Sequence, residues 1–156
     1  MRLIASGCVL AALALLSGCS TSQSVMSGTQ PNNSPLTKAC LVAHGGKSVD
    51  MDARIQQNLQ NHGVSVLTAP ACDKNAPGVD FTVTYTDQWW WDVVMYLKAV
   101  DIHFYTAPGG QLIASGHWNN SPLHQFPSAD GVVANLMDDM FNHASGGTIR
   151  TSTASK

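Results

Sequence analysis

Histidine and aspartate are the side chains of this sequence that could serve the widest range of chemistry. The chain has six histidines and ten acidic residues, and because every acidic residue is aspartate, mechanisms that need a catalytic glutamate are excluded. No two histidines are three or four positions apart, the spacing that lets one helix supply two metal ligands. His103, His117 and Asp101 could share a sheet face as a weak site, but surface histidines are the preferred interpretation. We expect no metal and no other cofactor.

A glycine-rich segment with the sequence His-Gly-Gly-Lys-Ser lies at positions 44–48, between a predicted strand and a predicted helix. A phosphate-binding loop needs another glycine five positions before Gly46, and Leu41 is found there. His-Gly-Gly is also typical of the oxyanion loop of α/β-hydrolases, but the chain has no Gly-x-Ser-x-Gly elbow to hold a nucleophile. We therefore predict neither nucleotide binding nor serine hydrolysis.

The N-terminal residues are typical of an export signal. Arg2 precedes an apolar run that ends at Leu16, shorter than the about 17–25 residues of a membrane-spanning helix. The sequence Leu-Ser-Gly-Cys that ends at Cys19 resembles the lipobox of bacterial lipoproteins. The resemblance implies that residues 1–18 are a signal peptide and that Cys19 is palmitoylated. With Ser20, it also implies an outer-membrane lipoprotein on the periplasmic face. The alternative is an ordinary signal peptide that happens to contain a cysteine.

The remaining cysteines are consistent with an exported protein. Cys8 would leave with the signal peptide, and with Cys19 lipidated, Cys40 and Cys72 remain. Because exported compartments are oxidising, we predict one Cys40–Cys72 disulfide; two free thiols are the alternative.

The flanks of the mature chain are polar and contain many small residues. Residues 19–37 are predicted to be the lipidated cysteine and a flexible tether that reaches roughly 20–25 Å from the bilayer, and residues 145–156 a disordered tail. A single domain is predicted for residues 38–144. Without Arg2, seven basic residues face ten acidic ones, a balance that argues against nucleic acid as a partner.

Hydrophobic periodicity predicts the elements of this domain. An apolar run at positions 39–43, a helix over Asp50–His62 and a second short strand to Leu67 form a βαβ unit with parallel strands. Three alternating segments then predict an antiparallel meander, and an apolar stripe from Val133 to Phe141 predicts a C-terminal helix. The fold class is therefore α/β (α+β), a two-layer sandwich with a mixed sheet of about five strands.

Alternation also predicts which side chains face away from the helices. Phe81, Val83 and Tyr85 are assigned to the covered face, and Leu112 is assigned to the same face as Ala114 and Trp118. The uncovered face receives the threonines of the first meander strand and the candidate partner-binding side chains. These are Trp90 (if no bulge intervenes), Asp101, His103, Tyr105 and His117.

The densest motif of the chain is Trp89-Trp90-Trp91-Asp92, preceded by Tyr85-Thr86 and followed by Tyr96-Leu97. With Cys40 in the first strand, this pattern resembles a family of small Gram-negative lipoproteins of unknown function, which share Y-T-x-x-W-x-W-D followed by Y-L. The likeness extends from about Cys40 to Phe141. It implies an exported lipoprotein with this fold and supplies no catalytic residues.

These features favour a binding or assembly module for an envelope protein or cell-wall glycan such as peptidoglycan. The alternative is a hydrolytic enzyme that acts on envelope polymers. A concave polar pocket containing Asp87, Asp92 or Asp101 would favour the enzyme, because catalytic carboxylates act at such pockets.

Overall fold

The computed structural model of the protein describes residues 21–28, 35–42, 49–68, 72, 77–121 and 126–144. The elements within these ranges are, in chain order, β1 (Ser22–Ser27), β2 (Lys38–Leu41), α1 (Val49–Asn61), β3 (Ser65–Leu67), β4 (Phe81–Trp91), β5 (Met95–Thr106), β6 (Leu112–Asn119) and α2 (Ala129–Ala144). The strands form one mixed sheet in the order β1-β6-β5-β4-β2-β3. The predicted α/β sandwich with a C-terminal helix is confirmed.

The predicted βαβ unit is present as β2, α1 and β3. Met51, Ile55 and Leu59 are spaced four apart, and all three are fully buried on the inner side of α1. The helix is followed by Gly63, whose φ of 77° is the left-handed conformation that commonly ends a helix. Strands β2 and β3 are parallel, as predicted, and β2 is also parallel to β4 on its other side.

The antiparallel meander is formed by β4, β5 and β6. Phe81, Val83 and Tyr85 alternate with threonines along β4. All three face the helices and are buried, as this alternation predicted. The β5–β6 connection contains Gly109 and Gly110, both with positive φ, which are conformations that glycine adopts without steric cost.

Helix α2 packs closely on β6. Its stripe of Val133, Leu136, Met137 and Met140 is completely buried. A Cβ atom at Gly116 would lie 2.6 Å from the sulfur of Met140, so glycine at this position lets the helix approach the strand. The hydrophobic core therefore lies between the two helices and one face of the sheet.

The face assignment of Leu112 was wrong. A register shift places Leu112 opposite Tyr105 on the uncovered face, while Ile113 and Ala114 are both buried in the core. Because a bulge adds one residue to a strand, it reverses the alternation on one side of it.

The flexible tether predicted for residues 19–37 was wrong for the segment that contains β1. Strand β1 pairs antiparallel with β6, so the sheet has six strands rather than about five within the described ranges. Val25 is the side chain of β1 that is buried in the core. The predicted signal peptide (1–18), Cys19 and the predicted tail (145–156) lie outside the described residues.

The predicted disulfide is present. Cys40 and Cys72 are bonded, with their Cα atoms 5.2 Å apart, within the usual range for this bond. The bond joins β2 to the segment after β3. None of the helices in the described ranges is long and apolar enough to span a membrane.

Candidate binding surface

The two helices pack on one face of the sheet. On the opposite face Cys40 and Thr82 are buried where the disulfide to Cys72 lies, and the part formed by β1, β6 and β5 is more exposed. The strand register aligns Ser24, His117, Asp101 and Thr86 across four neighbouring strands. A second row, two residues further along, contains Met26, Ser115, His103 and Thr84. The structure thus brings Asp101, His103 and His117 onto one face.

His117 and Asp101 are in direct contact in the first row. Nδ1 of His117 lies 2.6 Å from Oδ1 of Asp101, and the Thr86 hydroxyl donates a longer hydrogen bond of 3.4 Å to Oδ2. The two side chains of the pair are 45% and 35% exposed, so both remain accessible to a ligand.

His103 belongs to a separate pair. Its Nδ1 lies 2.9 Å from the Ser115 hydroxyl, and its ring centre is 6.0 Å from that of Tyr105. A Ser-His-Asp triad requires one histidine to contact both the serine and the aspartate. Here Ser115 contacts His103 while Asp101 contacts His117, so the triad is not assembled. We call Asp101, His103, Tyr105 and His117 the open-face cluster.

The described residues were also compared with the usual ligand sets of metal ions. Within those residues, no group of three or more histidine, cysteine or acidic side chains is arranged to hold a metal ion.

Trp90 lies on the same face as the open-face cluster but further along β4. The bulge beside it adds Lys98 to β5, so alternation along β4 continues unbroken from Thr82 to Trp90. Tyr105 pairs with Thr82, eight positions before Trp90, which corresponds to roughly 25 Å along the strand. Asp101 is the nearest member of the cluster, because it pairs with Thr86, four positions or about 13 Å before Trp90. Trp90 therefore lies beyond one end of the cluster, on a second part of the same face.

The second surface is the end of the β4–β5 hairpin. Its exposed apolar side chains are Trp90, Trp91, Val93, Val94 and Met95, which we call the tryptophan tip. Trp89 differs, because it packs against the core and its indole N–H donates to Asp87. Sequence reasoning missed the valines and the methionine of the tip, although the run Trp-Trp-Trp-Asp-Val-Val-Met has only one charge.

A concave site lies between the sheet edge and α2. This cleft of about 410 Å³ is lined by Thr21, Gln23, Trp118, Val132, Asn135, Asp138 and Asp139. Gln23 donates a hydrogen bond of 2.6 Å to Asp139 across it. Its acidic residues are Asp138 and Asp139. They are not the aspartates (87, 92 and 101) whose presence in a pocket would have favoured an enzyme.

Comparisons with known proteins define the fold. No protein-family model matches the chain, and no curated protein matches its sequence. Among solved structures, it is similar to two structures of the PelC dodecamer from Paraburkholderia phytofirmans, one of them a point variant. Each has 13% identity and a TM-score of 0.56, and the likeness covers 80% of this chain and 98% or 97% of PelC. A PDZ domain protein from Parabacteroides distasonis is more distant, with 10% identity, a TM-score of 0.40, and coverage of 85% of this chain and 38% of that one.

Proposed function

We propose that the protein is a lipoprotein of the outer membrane, anchored through palmitoylated Cys19 on the periplasmic side. In this proposal it acts as a binding module that holds cell-wall glycan or an envelope protein on the open-face cluster. It belongs, on this view, with the small Gram-negative lipoproteins whose Trp-Asp motif it resembles.

The observation that carries the proposal is the uncovered sheet face with its paired polar side chains. The His117–Asp101 and His103–Ser115 contacts hold donors and acceptors in fixed positions 2.6 and 2.9 Å apart. Fixed donors and acceptors are suited to bind sugar hydroxyls or peptide groups, because these side chains lose little conformational entropy on binding. Tyr105 adds an amphipathic ring beside them, a residue type that often anchors interfaces.

The alternative, a hydrolase of envelope polymers, has less support. Hydrolysis of a glycan or peptide bond uses a nucleophile or paired carboxylates at a concave site. Asp101 is paired with a histidine on an open face, and Ser115 contacts the other histidine. A catalytic role is therefore not part of the proposal.

Binding is tested by sedimentation of the mature protein with purified peptidoglycan sacculi. We expect Tyr105→Ala with His117→Ala to lower the bound fraction, because the double variant removes the ring and one member of the His-Asp pair. Gln57→Ala with Gln60→Ala is the matched control, since both glutamines are exposed on α1. Unfolding midpoints of both variants must match that of the wild type.

A photoreactive residue at position 86, compared with one at position 57, distinguishes glycan from protein as the ligand in intact envelopes. Glycan adducts from position 86 alone support the cell-wall form of the proposal, and protein adducts the assembly form. Equal crosslinking from both positions, with unchanged sedimentation of the Tyr105/His117 variant, would contradict it. The anchor is tested separately with radioactive palmitate, which should label the wild type and not Cys19→Ala.

A further inference from the structure

The tryptophan tip exposes more apolar surface than a hairpin end needs. Trp90, Trp91 and Val93 are 56%, 70% and 77% exposed, and Val94 and Met95 extend the same surface. Clustered exposed apolar side chains of this kind mark a surface that contacts another molecule or a membrane.

The polar groups around the tip suit a lipid surface. Asp92 is the charged residue within the tip, and the Lys98 ammonium lies 5.1 Å from the centre of the Trp90 ring. Tryptophan rings concentrate at the level of lipid headgroups, where an apolar body and an N–H group are both accommodated. The Lys98 ammonium donates a hydrogen bond of 3.4 Å to the Asn120 carbonyl oxygen, and its remaining N–H groups can reach a lipid phosphate.

The start of β1 lies at the same end of the sheet as the tip. Ser22 pairs with Asn119, Asn119 pairs with Ala99, and Ala99 pairs with Gln88, three residues before Trp91. The chain runs along β1 away from the tip, so the N-terminal end of this strand is the end nearer to the tip.

The distances on the two sides match. Cys19 is three residues before Ser22, which allows at most about 11 Å of chain. Trp91 is three residues beyond Gln88, or about 10 Å along β4. A lipid on Cys19 and the rings of the tip can therefore enter the same bilayer surface.

We infer that the tryptophan tip inserts into the interfacial layer of the bilayer that holds Cys19, as a second and non-covalent membrane contact. This inference rests on the proposed lipid anchor. Asp92 limits the insertion to the headgroup region, since a carboxylate in the hydrocarbon layer is costly. With both contacts in place, the domain lies directly on the membrane rather than at the end of a long tether.

Fluorescence quenching tests this inference on the full lipidated protein. The protein is reconstituted in vesicles of phosphatidylethanolamine with a minor share of phosphatidylglycerol, with and without bromine on the acyl chains near the headgroup. Two of the four tryptophans are in the tip, while Trp118 is buried and Trp89 packs on the core. We expect brominated lipid to quench the wild type.

Two double variants assign the quenching to particular rings. Trp90→Phe with Trp91→Phe should lose it, and Trp89→Phe with Trp118→Phe should retain it. Because Trp118 is buried, Trp89→Phe alone is the second control.

Three results would overturn the inference. If Cys19 carries palmitate but the tryptophans are not quenched, the tip does not contact the membrane, while the proposed lipid anchor is supported. Absence of palmitate removes the anchor, and the tip contact with it. The third is a detergent-solubilised protein of several chains that becomes a single chain on Trp90→Ser with Trp91→Ser, because the tip would then bind a second copy.

Discussion

Among individual residues, Asp80 links two neighbouring strands at their N-terminal ends. Its Oδ2 accepts hydrogen bonds from the backbone N–H of Thr37 at 2.9 Å, the Thr37 hydroxyl at 2.7 Å and the N–H of Lys38 at 2.8 Å. Burial raises the pKa of Asp80, but the bonds from Thr37 and Lys38 outweigh it. The pKa is therefore below its ordinary value of 3.8.

A pH-dependent contribution to stability follows from this lowered pKa. We expect Asp80→Asn to lower the free energy of unfolding at pH 7 by about 1 kcal/mol, because bonds to a charged acceptor become bonds to a neutral one. A carboxyl group with a lowered folded-state pKa stabilises above 3.8, and that contribution is lost as the pH falls through the folded-state value. The difference in free energy of unfolding between the wild type and Asp80→Asn should therefore disappear below pH 3.8.

Urea unfolding of wild type and Asp80→Asn across this pH range measures this difference. Thr37→Val serves as the graded comparison, since it removes one of the three donors and leaves the carboxylate. A difference that stays constant from neutral to strongly acid pH would show that the charge of Asp80 does not stabilise the fold.

Residue contacts could be predicted from the sequence only where they follow local alternation. The grouping of Asp101 with His103 is of this kind, because residues two apart on a strand share a face. The Asp80–Thr37 contact depends on β2 lying beside β4, and no local pattern indicates that these two strands are neighbours. The Trp90–Tyr105 separation was missed because sharing a face does not imply proximity along a long strand.

At the scale of elements, β1 is the strand that periodicity did not reveal. Its sequence is Ser-Gln-Ser-Val-Met-Ser, in which Val25 is 6% exposed and Met26 is 66% exposed. One buried side chain is too weak a signal to separate an edge strand from a polar linker. The strand is held by backbone hydrogen bonds to β6, which do not depend on side-chain type, and by hydrogen bonds of Gln23 and Ser27 to α2, which no local pattern indicates.

Val25 and Met26 provide a matched pair for testing whether β1 is part of the fold. We expect Val25→Asn to lower the free energy of unfolding by about 2 kcal/mol, because an apolar side chain leaves the core and a polar one enters it. Met26→Asn should change it little, because Met26 lies on the uncovered face. Chemical denaturation gives both values.

Hydrogen exchange provides the structural measure for the same pair. The amides of β1 should exchange faster in Val25→Asn than in the wild type or in Met26→Asn, since the strand would detach from β6 more often. If the amides of β1 exchange fast in the wild type and both variants are equally stable, residues 22–27 are a flexible tether and not a strand of the sheet.

For the whole molecule, the sandwich and the strand pairs within the βαβ unit and the meander could be predicted, but not the pairing of β2 with β4 or of β1 with β6. The period of two in the strands and the one-sided stripes of the helices require helices on one face of a sheet. Adding β1 next to β6 involves no new apolar pattern, yet it places Ser22, three residues after Cys19 in the sequence, at the same end of the sheet as the tip. The predicted position of the domain, 20–25 Å above the bilayer, depended on the absence of that strand.

In the proposed lipid-anchored state, the orientation of the domain on the membrane depends on the short connection between Cys19 and β1. Inserting about 20 Gly/Ser residues between Ser20 and Thr21 would restore a flexible tether, with a mean reach of about 25 Å. The tip would then meet the bilayer at a lower effective concentration. We expect the quenching of tip tryptophans by brominated lipid to fall, while palmitate labelling and sacculus binding stay unchanged.

The matched control places the same insertion between Gly109 and Gly110, in the exposed β5–β6 turn at the opposite end of the sheet. This insertion lengthens the chain equally but leaves the Cys19–Ser22 spacing intact, and exposed turns tolerate added residues at a small entropic cost. Quenching in this control should equal that of the wild type. If tryptophan quenching is the same in both insertion variants, the short connection does not orient the domain. Membrane contact at the tip would then be independent of where the anchor enters the fold.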